Sequence, residues 1–497
     1  MSAAFRTASG GRIDRSKQLA FTFDGVRMIG HPGDTLASAL TANGVRLLAR
    51  SFKYHRPRGL VAAGSEEPNA LVTVIRDDGR TTPNLAATTV ELYDGLVAVS
   101  QNRWPSLKWD VGALNDLFSP IFVSGFYYKT FMWPRSFWQK VYEPRIRAAA
   151  GFGEAPKAAD PDRYANRFAH CDVLVIGVGP AGLAAARAAA DAGARVILCD
   201  ENPELGGSLL ADPSAVIDGE PGAAWAASIA ADLAARETVT LLTRTTAFGW
   251  YQDNMVGLLE RVTDHLADPP DHLPRERLWQ VRAKRVVIAA GALERPLVFP
   301  ENDRPGIMLA DAARTFLARH GVAAGSRAVV FTATDSAYAA AIEAKAAGVS
   351  VALVADLRRE ASPAAEAARA AGIRVDLATT IEATSGGLSV ESVRLARVAA
   401  NGSIAPGETI ACDLVLHSAG FTPTVHLFSQ SRGKLRFDAD RGVFLPGEPH
   451  EDATSAGACN GAETLAACLA AGHAAGAAAA RAATGGEVAE RAYAAEG

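Results

Sequence analysis

A strand, a glycine-rich turn and a helix follow one another in the middle of this chain, and this succession most constrains its fold. The apolar stretch VLVI runs directly into Gly177, Gly179 and Gly182, which have the spacing G-x-G-x-x-G. In such a turn the first glycine permits a tight bend, the second lets the backbone approach a pyrophosphate, and the third lets helix and strand pack closely. The N-terminal amides of the following helix point at the phosphates. The sequence therefore predicts a Rossmann-type domain that binds an adenine dinucleotide.

The residue that ends the next strand bears on the identity of the dinucleotide. Asp200 closes the stretch RVILCD, 23 residues after Gly177. A carboxylate in this place accepts hydrogen bonds from ribose hydroxyls and repels a 2′-phosphate. We therefore expect NAD or FAD rather than NADP.

A second strand–turn–helix–strand unit begins near Arg327, with the sequence SRAVVFTATDSAYAAAIEAKAAGVSVALVAD. Thr, Ala, Thr, Asp, Ser and Ala occupy positions 332–337, where the glycines belong. Their side chains block a close backbone approach, and Asp335 would face a phosphate with like charge. Although Asp356 still ends the second strand, we expect a structural domain here rather than a second binding site.

Composition and charge exclude several classes of function. A length of 497 residues predicts two to four domains, and a net charge of −4 offers no basic face for nucleic acid. The N-terminus lacks the apolar core of a secretory signal, and the Ala/Gly run at 465–483 predicts a tightly packed helix rather than a membrane span. The five cysteines form no C-x-x-C, and the ten histidines show no metal-binding spacing. We expect a cytoplasmic protein that binds neither nucleic acid, nor a membrane, nor a metal.

The pattern of predicted strands and helices changes along the chain, and it predicts a mixture of α+β and α/β domains. Short alternating strands and one helix at 1–100 predict a β-grasp domain of the ferredoxin-like kind. From residue 169 onward, strands and helices alternate as they do in α/β domains of the disulfide-reductase type. The predicted parts are a first Rossmann-like domain at 169–300 and 411–485, a second one inserted at 301–410, and a tail at 486–497.

Residues 101–168 form an aromatic-rich connector between these parts. Its aromatic residues include Trp104, Trp109, Phe118, Phe122, Phe126, Tyr127, Tyr128, Phe131, Trp133, Phe137 and Trp138. So many aromatic side chains on an irregular segment need a surface that buries them. Two interpretations stay open: a seam between domains of this chain, and a contact with another subunit.

Two further groups of charged residues have competing interpretations. One basic string fits either an anion site, such as one for a flavin phosphate, or, as we favour, a salt-bridged surface: Lys53, His55, Arg56 and Arg58. We expect Glu66, Glu67 and Glu360 to be ordinary surface acids.

Several longer stretches carry a family resemblance. The stretches RVVIAAGALERPLVFPENDRPGIM (285–308), DLVLHSAGFTPTVHLF and TSAGACNGAETLAACLAAGHAAGAAAA are similar to motifs of the two-dinucleotide-domain flavoproteins, which include thioredoxin and glutathione reductases. The stretches SFKYHRPRGLVAAGSEEPNALV (51–72), SGFYYKTFMWPRSFW (124–138) and ERPLVFPENDRPGIM (294–308) resemble the alpha subunits of heterotetrameric sarcosine oxidases. The resemblance covers nearly the whole chain.

The resemblance implies a subunit rather than a complete enzyme. In that family a folate-binding domain comes last, and this chain stops where it would begin, so the chain is either a fragment or a short relative. The resemblance places the amine-oxidising FAD in a beta subunit and an FMN between alpha and beta, with small accessory subunits completing the complex. This chain would bind NAD, scaffold the flavin-bearing subunit and contribute no catalytic residue. The complex would demethylate sarcosine to glycine with O2, giving H2O2.

Three departures from the family pattern bear on cofactors. The first 170 residues contain no cysteine, so we expect the β-grasp domain to hold no iron–sulfur cluster, which needs four thiolates. Gly457 and Ala458 replace the family's Gly-Asp, whose carboxylate bonds the flavin ribityl chain. This loss of roughly 1.5–3 kcal/mol favours NAD over FAD at the Gly177 site. The cysteine pair of the disulfide reductases is missing as well.

The candidate cofactor-binding residues lie around the fingerprint and in the family's later motifs: Gly177, Gly179, Pro180, Ala181, Gly182, Asp200, Glu201, Gly206, Gly207, Ala247, Ala290, Gly291, Arg295, Gly457 and Leu465. Three alternative functions stay open. The chain could be the FAD-binding subunit of a related amine, opine or hydroxyproline dehydrogenase, a stand-alone FAD-dependent oxidoreductase, or a non-catalytic adaptor. The intact fingerprint argues against the adaptor.

Overall fold

The chain forms two compact units, each built from two stretches of sequence. The first unit comprises Met1–Asp160 and Arg295–Gly420, and the second comprises Pro161–Glu294 and Phe421–Gly497. Each unit has its own hydrophobic core and its own parallel sheet. The computed structural model describes residues 4–76, 79–120, 125, 131–148 and 153–496.

The N-terminal part of the first unit is a five-stranded sheet with one helix. Its elements are β1 (Leu19–Phe23), β2 (Val26–Gly30), α1 (Leu36–Ala42), β3 (Ala49–Arg50), β4 (Pro57–Arg58), β5 (Leu71–Ile75), β6 (Thr81–Ala86) and β7 (Val97–Ser100). The sheet order is β2-β1-β7-β5-β6, with β1 and β7 parallel and the other neighbours antiparallel. Helix α1 begins with a capping box, in which Thr35 and Ser38 each accept a hydrogen bond from the other's backbone N–H. This arrangement is a β-grasp.

A buried carboxylate organises the loop between β4 and β5. Glu67 is 4% exposed, and its carboxylate oxygens accept hydrogen bonds of 2.7–3.1 Å from the backbone N–H groups of Val61, Ala62, Asn69 and Ala70. Burial raises the pKa of Glu67, and the four N–H donors oppose that rise. The expectation of an ordinary surface acid is therefore wrong here. The sequence shows that residue 67 is acidic, but it does not show that the backbone between β4 and β5 folds around the carboxylate.

The basic string at 53–58 takes part in ion pairs within the first unit. Arg56 pairs with Asp116 at 2.8 Å, and Arg58 pairs with Asp303 at 2.6 Å. These contacts support the salt-bridged interpretation for both arginines. Contacts with opposite charges leave less of each guanidinium for an outside anion.

Between residues 101 and 163, the described part of the aromatic connector forms short helical turns. They are 3-10 turns at Val111–Phe118 and Arg135–Phe137, a π turn at Trp138–Tyr142, and helix α2 (Glu143–Ala148). Four of the aromatic residues noted in the sequence lie outside the described residues: Phe122, Phe126, Tyr127 and Tyr128.

The second unit opens with the strand and helix of the fingerprint. Its elements up to residue 294 are β8 (Tyr164–Ile176), α3 (Pro180–Asp191), β9 (Val196–Cys199), β10 (Val216–Ile217), β11 (Glu220–Pro221), α4 (Gly222–Ala234), β12 (Val239–Leu242), β13 (Thr245–Tyr251), β14 (Met255–Arg261), β15 (Glu276–Ile288) and β16 (Ala292–Glu294). Strands β12, β9, β8 and β15 are parallel in that order, and β14 and β13 extend the sheet in antiparallel fashion. The apolar ends of β8 and β9 are buried, as a sheet covered on both faces requires.

The first unit continues with a second parallel sheet. Its elements are β17 (Ile307–Leu309), α5 (Ala310–His320), β18 (Arg327–Thr332), α6 (Ser336–Ala346), β19 (Ser350–Asp356), α7 (Pro363–Ala370), β20 (Val375–Leu377), β21 (Thr379–Ser385), β22 (Ser392–Val398), β23 (Ile404–Ala411) and β24 (Leu414–Ser418). The order β17-β24-β18-β19-β20 is parallel throughout, and β21, β22 and β23 form a separate antiparallel sheet.

The β-grasp part contacts this second sheet region within the first unit. Arg6 pairs with the buried Asp34 at 2.7 Å and also donates to the carbonyl oxygen of His320, at the end of α5, at 2.6 Å. Arg46 pairs with Asp413 at 2.8 Å. Ion pairs and a shared apolar core therefore join the two parts of the unit.

The last stretch completes the second unit. Its elements are β25 (Phe421–Pro423), α8 (His426–Gln430), β26 (Leu435–Asp438), β27 (Val443–Pro446), β28 (Ala453–Ser455), α9 (Leu465–Thr484) and β29 (Ala495–Glu496). Strand β28 joins the main sheet in parallel with β15, and helix α9 packs along α3. Across the described ranges, no helix is both long and apolar enough to cross a membrane.

Candidate dinucleotide-binding site

The glycine turn after β8 has the geometry that the fingerprint predicts. Gly177 has a φ of +103°, and a methyl group on it would collide with the carbonyl oxygen of Ala289. A methyl group on Gly182 would collide with the carbonyl oxygen of Gly177. Both positions therefore require glycine, one for a left-handed backbone and both for close packing.

Gly179 differs from these two glycines because it faces open space. A methyl group built on it would meet no atom within 4 Å. It precedes Pro180 at the first position of α3, and in the described structure no side chain caps that helix. The free N–H groups of the first turn of α3 can therefore serve an anion, which the helix dipole also favours.

The glycine pair at 206–207 lies beside this turn. Gly206 donates its N–H to the carbonyl oxygen of Val178 at 3.0 Å. A methyl group on Gly207 would come within 2.8 Å of the Cα atom of Gly179. Two backbone segments without side chains thus meet at the mouth of the turn.

The carboxylate of Asp200 accepts more hydrogen bonds from the protein itself than the sequence suggests. Its Oδ2 accepts a hydrogen bond from the Val178 N–H at 3.0 Å, and its Oδ1 accepts two from Asn202, at 2.8 and 2.9 Å. A carboxylate offers about four acceptor positions, so about one remains for a ribose hydroxyl. Asp200 therefore fixes the turn, and the next residue, Glu201, also lies at this end of the strand.

The later predicted residues divide between the two units. Ala247 lies in β13 beside a break in the strand register, and Ala290 and Gly291 lie in the turn that begins after Ile288, the last residue of β15. Arg295 belongs to the first unit, where its N–H and carbonyl groups bond the backbone of Gly420 and Ala419.

The closing motif reaches the fingerprint helix. A methyl group on Gly457 would come within 2.6 Å of the Ala181 Cβ atom, so this glycine packs directly on the first turn of α3. Leu465 is the first residue of α9, and the side chain of Thr464 caps that helix by accepting the Ala467 N–H. The structure therefore brings Gly177, Gly179, Ala181, Gly182 and Gly457 together.

Helix α9 lies against α3 at backbone distance. Methyl groups on Gly472 and Gly476 would collide with the carbonyl oxygens of Ala181 and Ala185 respectively. The Ala/Gly run noted in the sequence is therefore a tightly packed helix, as expected. The sequence does not show that Gly472 and Gly476 contact the fingerprint helix, because that helix lies almost 300 residues earlier in the chain.

The cysteines of the second unit are not poised for chemistry. The Sγ atom of Cys459 donates to the carbonyl oxygens of Ile288 and Ala456 at 3.2 Å, and burial raises the pKa of this thiol to about 11. Burial raises the pKa of Cys171 to about 12 and that of Cys468 as well. Since the thiolate is the nucleophile, these thiols are inert near pH 7.

The degenerate turn of the second parallel sheet is closed by its own side chains. Asp356 is fully buried, and its Oδ2 accepts hydrogen bonds from the Tyr338 hydroxyl at 2.7 Å and from Arg358 at 2.8 Å. Arg358 also pairs with Asp335 at 2.7 Å, and Asp335 accepts a hydrogen bond from Ser362 at 2.6 Å. Asp356, which corresponds in position to the acid that binds ribose in a functional dinucleotide site, is therefore hydrogen-bonded to side chains of the protein itself.

Comparison with known families fits this geometry. Residues 171–445 match the family described as pyridine nucleotide-disulphide oxidoreductase. This match spans more than half of the chain, and the chain belongs to that family.

Individual relatives narrow the comparison. Sarcosine oxidase subunit alpha of Rhizobium meliloti (strain 1021) is 49% identical over 94% of this chain and 46% of its own length. The subunit of the same name from Corynebacterium sp. (strain U-96) is 39% identical over 94% of this chain and 44% of its own length. The resemblance to sarcosine oxidase alpha subunits is therefore confirmed, and the chain spans less than half the length of these relatives.

One solved structure shows the same fold over most of the chain. L-proline dehydrogenase from P. horikoshii aligns with a TM-score of 0.63 and 20% identity, covering 96% of this chain and 75% of that one. At this identity the likeness concerns the fold alone.

A second family match corrects the expectation for the β-grasp domain. Residues 16–103 match a family described as a 2Fe-2S iron-sulfur cluster binding domain, which contradicts the prediction of a domain and a cofactor set without a cluster. That prediction relied on the cysteine count alone, whereas the match to the family model extends over residues 16–103. A 2Fe-2S cluster is normally held by thiolates, and residues 16–103 contain no cysteine, so the side chains present do not fit the usual ligand set. Among the described residues, no group of His, Cys, Asp and Glu could hold a metal ion.

Proposed function

We propose that this chain acts as an alpha-type subunit of a sarcosine-oxidase-type complex and binds NAD at the Gly177 site. The observation that carries the proposal is 49% identity to a sarcosine oxidase subunit alpha along 94% of this chain. The open glycine turn at the start of α3 supports it independently. Identity spread along the chain favours a shared role rather than a shared domain.

The residues of the second unit fit the adenosine diphosphate half of the ligand. The first-turn N–H groups of α3 bind the pyrophosphate, with Gly179 leaving the space for it. Gly206 and Gly207 admit the phosphates from the other side, and the remaining acceptor position of Asp200 orients a ribose hydroxyl. NAD, when bound, supplies a ring that can accept a hydride. In this proposal its role is structural, and no side chain of this chain acts as acid, base or nucleophile.

The other half of the site favours NAD over FAD. Ala458 offers a methyl group where a carboxylate would bond the ribityl chain of a flavin, and its neighbour Gly457 packs on Ala181. Losing one charge-assisted hydrogen bond costs roughly 1.5–3 kcal/mol, which weakens a flavin by about ten- to a hundredfold.

The reaction would belong to the assembled complex. A partner subunit carrying a flavin would take two electrons and a proton from sarcosine, water would hydrolyse the resulting imine to glycine and formaldehyde, and the two electrons would reduce O2 to H2O2. This chain would hold that subunit in place, together with smaller accessory subunits.

Two measurements test the proposal. The purified chain is denatured and the released cofactor is identified by absorbance and mass spectrometry. About one NAD per chain with no flavin supports the assignment, whereas FAD at that ratio overturns the argument from Ala458. The complex isolated with the tagged chain is then assayed for H2O2 production from sarcosine and oxygen, and no turnover by an intact flavin-containing complex contradicts the proposed substrate.

A further inference from the structure

Strand β8 extends well beyond its neighbour β9 on one side of the main sheet of the second unit. On the other side, β15 pairs with β8 from Tyr164 to Ile176, whereas β9 pairs with it only from Val173 to Ile176. Across the described part of the chain, no strand pairs with the β9 side of β8 between Ala165 and His170, and we call this stretch the open edge. Backbone N–H and C=O groups on the open edge can therefore bond a further strand.

The open edge lacks features that usually keep a strand edge from pairing. Lysine, proline and β-bulges commonly protect exposed edges. The open edge has the sequence ANRFAH, without lysine or proline, and its register with β15 is unbroken. Its one arginine, Arg167, has its guanidinium carbon 5.8 Å from the ring centroid of Trp279 on β15. This charge therefore lies over the sheet rather than beyond its edge.

Side-chain contacts across the sheet hold this part of β8 in extended form. The ring centroid of Trp279 also lies 5.7 Å from the guanidinium carbon of Arg277, and its Nε1 donates to Glu260 on β14 at 2.7 Å. Glu260 pairs with Arg277 at 2.8 Å. A strand that is already extended and paired on one side loses little conformational freedom when a second strand binds its other side.

Aromatic side chains line one face of this part of β8. Side chains alternate between the two faces of a strand, so Tyr164, Asn166 and Phe168 share one face. Phe168 is 75% exposed and Tyr164 is 55% exposed. A strand bound to the open edge would place its own side chains beside these rings, and aromatic pairs across neighbouring strands stabilise a sheet.

The sequence of the open edge is complementary to itself in one antiparallel register. When two copies of a strand pair about a two-fold axis that keeps the faces of the sheet, one residue at the axis lies opposite its own copy. With Asn166 at the axis, Phe168 of each copy lies opposite Tyr164 of the other, which gives two aromatic pairs. With Phe168 at the axis only one aromatic pair forms, and with Arg167 there two guanidinium groups face each other. With the axis one residue before Asn166, Arg163 faces Arg167. Like charges directly opposite each other are destabilising, so the register centred on Asn166 is favoured.

We propose that β8 pairs in antiparallel fashion with β8 of a second copy of this chain, centred on Asn166. In this register Arg167 lies opposite Ala165 of the second copy and Arg163 lies opposite Ala169, so these like charges do not meet. The main sheets of two second units then form one continuous sheet through isologous contacts. The pairing does not depend on NAD binding, and it brings a second copy of the chain into any complex that the chain forms.

Analytical ultracentrifugation of the full chain tests the pairing. We expect a dimer whose dissociation constant rises about tenfold or more in Phe168→Ser, because the dimer then loses both aromatic pairs. The matched control is Phe437→Ser, which removes an exposed aromatic residue from β26 of the second unit and should leave the dissociation constant within about twofold. Since both side chains are exposed, urea titrations should show that neither variant loses stability.

Cysteine cross-linking tests the register. Oxidation of Asn166→Cys should give a covalent dimer, since residues directly opposite each other have Cβ atoms about 4.5–5.5 Å apart. His170→Cys is the control, because the two thiols would lie about 27 Å apart at about 3.4 Å per residue and should not cross-link. The wild-type chain gives the background from its own cysteines.

Three results would overturn the proposal. The first is a wild-type chain that stays monomeric at every concentration tested, and the second is a dimer that Phe168→Ser leaves as tight as Phe437→Ser does. The third is an isolated complex that contains one copy of the chain with residues 165–170 protected from hydrogen exchange, because another subunit would then occupy the open edge. A cross-link in Phe168→Cys but not in Asn166→Cys would overturn the register centred on Asn166. The proposed NAD site is tested separately, by release of the cofactor from the denatured chain.

Discussion

At the scale of single residues, Glu67 shows how much a buried carboxylate can organise. Four backbone N–H groups converge on it, so the loop between β4 and β5 is built around one side chain. Glu67→Gln keeps the shape but replaces one acceptor oxygen by an NH2 group that cannot accept. Since each buried N–H left without a partner costs about 1–3 kcal/mol, we expect a loss of about 2–4 kcal/mol in the free energy of unfolding.

The neighbouring acid provides the control for that measurement. Glu66 is exposed and, among the described residues, accepts a hydrogen bond from the nearby Gly64 N–H alone, so Glu66→Gln should change the unfolding free energy by less than about 0.5 kcal/mol. Urea titrations of the two variants give the comparison. Equal stability of both would mean that the four hydrogen bonds contribute nothing net.

Two buried histidines make the first unit sensitive to acid. Burial lowers the pKa of both His320 and His417 to about 4, with the charge of Arg319 acting in the same direction on His320 and the carboxylate of Asp34 opposing it. Both groups take up protons near pH 6.5 in the unfolded chain but near pH 4 in the folded one. Their contribution is therefore fully present above about pH 6.5 and is lost as the pH falls towards 4.

This pH dependence is testable with variants. We expect the urea midpoint of the wild-type chain to fall steadily between pH 7 and pH 4.5. His417→Gln, whose side chain does not titrate, should show a shallower fall, although its stability at pH 7 is lower. Parallel curves for the two proteins would rule out a role for His417.

At the scale of elements, the contact between α9 and α3 reverses an ordinary rule of helix stability. Replacing glycine by alanine within a helix usually stabilises it by up to about 1 kcal/mol. Gly472→Ala should instead destabilise the second unit by about 1–3 kcal/mol, because the new methyl group collides with the Ala181 carbonyl oxygen. The measurement is the thermal midpoint of the variant, which should be lower than that of the wild-type chain. A higher midpoint would contradict the close contact between α9 and α3.

The glycine turn allows binding to be separated from folding. A methyl group on Gly179 meets no protein atom, so Gly179→Ala should leave the stability of the cofactor-free chain unchanged. It would occupy the space that we assign to the pyrophosphate, and we expect the affinity for NAD, measured by calorimetry, to fall at least about tenfold. Gly387→Ala, at another open position, is the matched control. Unchanged affinity in Gly179→Ala would place the ligand elsewhere.

The sequence predicts some of these features well and others poorly, for physical reasons. The turn at Gly177 is predictable because strand, glycines and helix are neighbours in the chain, so the pattern is local. The position of Asp200 at the end of its strand is predictable, because it follows from a local pattern. Its hydrogen bonds to Val178 and Asn202 are not, because they depend on how the turn closes. The burial of Glu67 and the packing of α9 depend on distant segments, which no short pattern records.

At the scale of the whole molecule, the chain begins in the first unit, enters the second, returns to the first and ends in the second. Within the first unit, the buried pair of Arg6 and Asp34 ties the β-grasp part to the end of α5. Arg6→Ala would leave the Asp34 carboxylate, which is fully buried, without its counter-charge. We expect a loss of about 3–5 kcal/mol.

The exposed pair of Lys17 and Asp14 is the control for this prediction. Lys17→Ala should cost less than about 1 kcal/mol, because both side chains are solvated. Differential scanning calorimetry of the two variants compares them. If Arg6→Ala is as mild as Lys17→Ala, the buried pair does not hold the β-grasp part in place.

The packing of α9 on α3 also sets a timetable for synthesis. About 290 residues separate Ala181 from Gly472, and a ribosome adds roughly 5–20 residues per second, so on the order of 15–60 s pass between the emergence of the two helices. During this interval the flank of α3 that α9 will cover is open, while the intervening stretch of the first unit, Arg295–Gly420, is being synthesised. We therefore expect chaperones that shield apolar helices to bind the nascent chain until α9 emerges.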